Sequence, residues 1–306
     1  MNHHPHALLA ISDFSQGAEH ALLRAVQLAR QHRATLALAH LANSGPPDAG
    51  ERLVRQAALL ARRHRIAVHR LGSLDESELR AALAALPQIR LLLLAAPGTG
   101  VPAPRRLWPP WPGPRLARRL LKRPPGCPLL LVRRAPSSVD AAYHRLLLGV
   151  DPTPERALGL LQTASRLAPE AELELFHALD VRGEARLRAA EATPQRVRAY
   201  REALERHGRQ HLLRLSDSLD TRRNRLMHTL GRGDPARQLL VQQERCDAEL
   251  LLLGHRRRSL WQALLGGRST AQRLLDRLDC DLLLCPEPAG AESSAQGRVC
   301  AKTQSA

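Results

Sequence analysis

The stretch HALLAISDFS, residues 6–15, returns as HRLLLGVDPT at residues 144–153. Each copy is a short Leu-rich run led by a histidine and followed by an aspartate and, two residues on, a hydroxyl: Asp13 and Ser15, then Asp151 and Thr153. An apolar run without polar alternation marks a strand covered on both faces, as in parallel sheets. The hydroxyl residues behind it are helix N-caps, Ser15 before one apolar stripe and Thr153 before a proline at the first helical position.

Three more matches follow in the same order. ATLALAHL (34–41) pairs with AELELFHA (171–178), which sets His40 against His177; IRLLLLAAPG (89–98) pairs with AELLLLGHRR (248–257); GCPLLLV (126–132) pairs with DCDLLLC (279–285). Offsets of 138, 137, 159 and 153 residues mean one unit used twice with loops of unequal length. Between the runs lie helical patterns. Ala18, Ala21, Leu22, Ala25, Val26 and Ala29 form one apolar stripe, and Thr193-Pro194 opens another helix ahead of Val197, Tyr200 and Leu204. IAVHRL (66–71) and RLMHTL (225–230) supply a third strand to each unit. The alternation reads βαβαβαβαβ twice, a doubly wound α/β sandwich in tandem. The expected domains are 6–135 and 143–288, joined by RRAPSSVDAA (133–142), with residues 289–306 an aperiodic, disordered tail.

Composition agrees with two domains in 306 residues. Apolar residues make up 44% and aromatics 2%, so the cores are aliphatic. The net charge of +17 comes from arginine in all but Lys122 and Lys302, spread along helical segments. That spread fits an arginine-rich coding bias better than a polybasic block, while nucleic-acid binding stays open as an alternative. Cys127, Cys246, Cys280, Cys285 and Cys300 contain no C-x-x-C pair, and the N-terminus reads as no secretory leader; a reduced, cytoplasmic setting is expected. The longest apolar stretches, near 91–97 and 250–253, are far shorter than the ~20 residues that span a bilayer.

In the second unit, GDPARQLLVQQERCDAELLLLG (233–254) and STAQRLLDRLDCDLLLCP (269–286) run as a Gly-x-Pro start to a helix, a strand ended by Gly254 at a tight turn, a helix and a last strand. With the repeated acidic turn, this resembles a tandem, two-domain bacterial universal stress protein over residues 6–288. The resemblance implies a five-stranded parallel sheet in each unit and a role in stress survival without assigned catalysis. Members that bind ATP carry an acidic residue after the first strand and a Gly-x-x-Gly, nine-residue, Gly-Ser/Thr loop, whose bare backbone N–H groups approach phosphate. In this chain the resemblance assigns Asp151, Gly254, His255, Gly267, Ser269 and Thr270 to that site, with Arg257 in the place of the second glycine and Arg268 between Gly267 and the hydroxyl. Arg257 either pairs with phosphate or fills its space. In the first unit Asp13 persists, but Ala95 stands for Gly254, and PGTGVPAPRRLWPPWPGPR (97–115) is too proline-rich for a helix with free N–H groups. ATP, weakly bound or replaced by another anion, is therefore expected in the second unit alone, and a hydrophobic ligand or none stays open there.

His40 and His177 read as structural or ligand-rim residues, His3, His4 and His6 as chance histidines and no metal site, and Trp108 and Trp111 as residues folded over their own unit. Cys127 and Cys280 read as buried packing residues at matching strand starts. Neither a nucleophile elbow nor a zinc-protease helix nor a Walker loop occurs. The expected protein is a noncatalytic stress-response protein whose units pack as an internal pseudo-dimer, since a bare sheet edge invites its copy. The alternatives are an ATP-dependent ligand sensor or an arginine-driven nucleic-acid binder; further homo-oligomerisation is left open.

Overall fold

The computed structural model describes residues 6–42, 47–97, 113–137, 141–218, 224–255 and 269–286. The first unit runs β1 (Ala7–Ser12), α1 (Gln16–Gln31), β2 (Thr35–Leu41), α2 (Ala49–His64), β3 (Val68–Leu74), α3 (Glu76–Ala85), β4 (Ile89–Ala95), α4 (Gly113–Lys122) and β5 (Leu129–Val132). The second runs β6 (Arg145–Gly149), α5 (Pro154–Leu167), β7 (Glu172–Leu179), α6 (Arg182–Ala189), α7 (Pro194–Asp217), β8 (Arg225–Arg232), α8 (Pro235–Cys246), β9 (Leu250–His255), α9 (Thr270–Leu275) and β10 (Asp281–Pro286).

All ten strands form one sheet in the order β3-β2-β1-β4-β5-β10-β9-β6-β7-β8. Within each unit the strands are parallel. The units meet at an antiparallel pair, where Leu129, Leu130 and Leu131 face Leu284, Leu283 and Leu282. Because alternate side chains leave opposite faces of a strand, the Leu-rich runs feed two cores. Leu8, Leu130, Leu252 and Leu283 point to the face covered by α1, α2, α5 and α7. Leu9, Leu131, Leu251 and Leu284 point to the face covered by α3, α4, α8 and α9. Both cores run without a break through both units, which is why the chain manages with so few aromatics.

A buried polar group crosses the same seam. Asp281 is 1% exposed at the start of β10. The Tyr143 hydroxyl donates to its Oδ2 at 2.6 Å, and the Arg133 and Arg134 N–H groups donate to its Oδ1 at 2.7 and 3.2 Å. Arg24, from α1, lies 3.5 Å from Oδ2 and stacks 4.0 Å over the Tyr143 ring. Apart from Tyr143, the first residue after the join, every donor comes from the first unit or the join; the acceptor comes from the second. Burial pushes the Asp281 carboxyl up against the pull of Arg24, Tyr143 and the two backbone donors.

Four expectations are corrected. Gly254 does not end its strand at a turn: β9 continues through Gly254 and His255, which pair with Cys285 and Pro286. Thr153 holds the N-cap position of α5, but its hydroxyl makes no cap bond; instead Asp151 Oδ1 accepts the Thr153 N–H at 2.8 Å. The proline-rich segment does enter a helix, since α4 begins at Gly113, with Pro114 in a first turn where no intrahelical N–H bond is lost. Cys280 is buried as expected, but Cys127 is only partly so. Ser15 and Thr193 cap as anticipated, accepting from the N–H groups of Ala18 and Arg196. The tail at 289–306, His3, His4, Trp108 and Trp111 lie outside the described residues.

Candidate functional site

In an open α/β sheet the carboxyl ends of strands diverge where the strand order reverses, leaving a crevice. Here that reversal falls between β1 and β4 in the first unit and between β6 and β9 in the second. The second crevice is an open cleft of about 610 Å³. Its floor is Gly149 of β6 and Val150 just after it, with Leu253 and Gly254 from β9; its sides are Phe176, His177 and Ala178 of β7 and Ser269, Thr270 and Ala271 at the head of α9. Cys285 and Pro286 of β10 close one end together with Pro128, contributed by the first unit.

The cleft exists because its floor is small. A Cβ on Gly149 would come 2.4 Å from Leu253 Cδ2, so no larger residue fits without moving the neighbouring strand's side chain. Gly254 is different: a Cβ there would meet nothing within 4 Å, and the glycine leaves open space over the site.

The first unit presents the same crevice almost filled. Around Asp13 only about 10 Å³ remains, between Ile11, Leu41, Leu94, Ala95 and Leu116. By the repeat register Ile11 stands for Gly149, Leu41 for Ala178 and Ala95 for Gly254, and the match of LARRLL (116–121) to TAQRLL (270–275) sets Leu116 against Thr270. Each exchange replaces a small or polar residue with a larger apolar one, and together they plug the site from floor, side and helix head. Asp13 is left 6% exposed, its Oδ1 held by the Ser15 N–H and hydroxyl at 3.0 and 2.5 Å. His40 packs its ring 6.1 Å from that of Phe14.

The structure brings Asp151, Gly254, Ser269 and Thr270 together in one cleft. Arg257 and Gly267 lie outside the described residues, and His255 is placed by its backbone alone, in β9. Asp151 points one carboxylate oxygen at the Thr153 N–H and the other toward Arg156 at 4.0 Å. Ser269 is occupied by its own helix: its hydroxyl accepts from the Gln272 N–H at 3.2 Å, and its N–H donates to Gln272 Oε1 at 3.0 Å. That capping box removes the backbone donor which a Gly-Ser phosphate loop would offer. Cys285 is buried against the floor, and its thiol is pushed up to about 12 by loss of solvent, so it is neutral at physiological pH.

Residues that the sequence reading missed complete the walls. Gly149, Ala178 and Thr163 became visible only as cleft lining, although the size differences at Ile11/Gly149 and Leu41/Ala178 were a readable signal. His211, which lies behind the Asp151 turn and not in the cleft wall, had no such signal, because it comes from α7, which is 24 residues long where the corresponding α2 has 16. His211 Nε2 donates to the Asp151 carbonyl at 3.0 Å, and His177 Nδ1 donates to the Val150 carbonyl at 3.1 Å. Their rings meet edge to face at 5.7 Å. Both histidines thus hold the backbone on either side of the Asp151 turn.

Burial lowers the His211 pKa, and His177 and His207 nearby add to the effect, against the bond to Asp151. Burial likewise lowers His32, at the seam. A histidine with a depressed folded pKa takes its proton more readily in the unfolded chain. Its stabilisation is present above the ordinary value of about 6.5 and is lost as pH falls through the folded value. The melting temperature is therefore expected to fall between pH 7.5 and 5.5, and to fall less in His211→Gln, whose amide keeps a donor. Parallel pH profiles for the two proteins would show that His211 is not the titrating group.

Residues 142–286 match the model of the universal stress protein family. The second unit belongs to the universal stress protein family. A universal stress protein from Archaeoglobus fulgidus DSM 4304 superposes with a TM-score of 0.58 at 13% identity, covering 92% of this chain and 97% of that one. A functionally unknown protein from Pseudomonas aeruginosa PAO1 superposes at 0.59 and 18%, covering 92% and 93%. At such identities the likeness speaks for the fold, and it extends over both units. No curated protein matches the chain in sequence. The family match supports a stress-response protein. No described helix is long and apolar enough to cross a membrane, and no described cluster of His, Cys, Asp and Glu could hold a metal ion.

Proposed function

We propose that this protein is a noncatalytic regulatory protein of stress response that binds one small anionic ligand per chain, in the cleft of the second unit, with the first unit as its built-in dimer partner. The contrast between the two crevices carries the reading, about 610 Å³ in the second unit against about 10 Å³ in the first. The wall of Leu160, Leu239, Leu253 and Phe176 suits a flat apolar body, with Asp151 at the rim for its polar edge. Gly254 leaves room beside β9 for an anionic tail. A nucleotide has this shape and polarity. Catalysis has no support in the cleft: its thiol is neutral, and the Asp151 carboxylate is tied to its own turn.

Isothermal titration of the purified full chain with ATP, together with mass analysis of small molecules released on denaturation, tests the reading. Binding of one nucleotide per chain, weakened at least about tenfold in Gly254→Leu, is the expected result, about 1.4 kcal/mol. No heat, no thermal shift and no released nucleotide or other small anion would remove the site.

A further inference from the structure

We infer that the N-terminal rim of the first unit's strands binds the phosphate backbone of double-stranded nucleic acid without regard to sequence. Helices α1 and α2 both run back to that rim and end side by side. The Leu36 N–H bonds the Ala67 carbonyl, and Leu36 stands beside Val68 in the sheet. Arg33 and Arg65 each lie three residues before that pair, in left-handed conformations with φ of 49° and 53°. Arg30, Arg62 and Arg63 project from the last turns of the same two helices. All five arginines are exposed. Arg33, Arg62, Arg63 and Arg65 hold no ion pair among the described residues.

An arginine-rich composition does not by itself account for this rim, because the second unit is an internal control. Residues 30–35 and 61–68 of the first unit contain these five arginines and no carboxylate. The corresponding segments of the second unit, 166–172 and 214–225, contain five arginines and four carboxylates, Glu170, Glu172, Asp217 and Asp220. The arginine count is equal, in 14 residues of the first unit and 19 of the second; the first unit lacks the acids. Complementing the helix dipole does not explain it either, since one arginine in the last turn suffices for α5 and for α7.

The chemistry of the rim selects the partner. A net charge of +17 opposes a second copy of the chain. The two segments carry no Phe, Tyr or Trp, so they offer neither a stacking platform for single strands nor a wedge for a bilayer. Guanidinium forks on a polar surface match the regularly spaced phosphates of a duplex.

Fluorescence anisotropy with a labelled mixed-sequence DNA duplex tests the inference on the full chain. Affinity should fall steeply with salt, and R33E/R62E/R65E should weaken it at least about tenfold at low salt, with a shallower salt slope. R196E/R198E/R209E, on the exposed side of α7, makes the same change in net charge and should cost less than about threefold. If the rim variant fails to fold, R33Q/R62Q/R65Q is read in its place. Equal losses in rim and control variants would overturn the inference, as would absence of duplex binding at low salt. Loss of binding to anionic phosphatidylserine vesicles without loss of duplex binding would overturn it too.

Discussion

Alanine at position 281 is expected to destabilise the protein by about 3–5 kcal/mol, the cost of breaking a buried charge pair by removing one member. The Asp281→Ala chain would leave Arg24, itself 7% exposed, without its carboxylate, and the Tyr143 hydroxyl and two backbone N–H groups without an acceptor. Asp281→Asn keeps an acceptor oxygen and loses only the charge, so it should fall between the parent and the alanine variant. Tyr143→Phe, which removes one hydrogen bond, should cost about 1–3 kcal/mol, because the partner left behind is a buried acceptor. Urea melts monitored by circular dichroism would rank the three, with a shift in melting temperature on the order of 10 °C for alanine. A change below about 1 kcal/mol for Asp281→Ala would mean that the seam is held by its aliphatic cores alone.

The second large effect is on binding. Carrying the first unit's plug into the second, as Ala178→Leu with Thr270→Leu, puts two leucine side chains into the open cleft. Their counterparts Leu41 and Leu116 already fill the equivalent crevice to about 10 Å³. ATP binding at the second unit should weaken at least about a hundredfold, roughly 2.7 kcal/mol. The fold should survive, since the added methyl groups enter space that is open and overpacking costs typically stay near 1–3 kcal/mol. Calorimetric titration beside a thermal melt separates the two readouts. A folded double variant that binds like the parent would place the ligand elsewhere.

The fold was legible because its strands are buried on both faces. Such strands must be apolar at every position, so ALLAI at 7–11 or LLLL at 250–253 declares itself, and the second copy confirms the frame. Helix α6 escaped notice because it covers no strand: with Arg182, Arg186 and Arg188 along it, it contributes no residue to either core. Gly254 misled for a related reason. Glycine signals a turn in isolation, whereas here the ladder with Cys285 and Pro286 keeps the strand going. In the candidate site, Asp151, Gly254, Ser269 and Thr270 were assigned through the resemblance to the family motif, and the four line one cleft. The rest could not be so assigned, since Pro128 reaches the cleft through the seam and His211 reaches the Asp151 carbonyl from an enlarged helix, relations that no local pattern encodes.

The antiparallel join of β5 and β10 has a genetic consequence. In a two-fold homodimer every substitution appears twice, so a change that closes one pocket closes both. A covalent tandem appears as two different halves in every molecule, and a substitution such as leucine at 116 falls on one side only. One half can therefore carry a filled crevice while the other keeps its opening. A tandem chain lets its two halves take different tasks within a single reading frame.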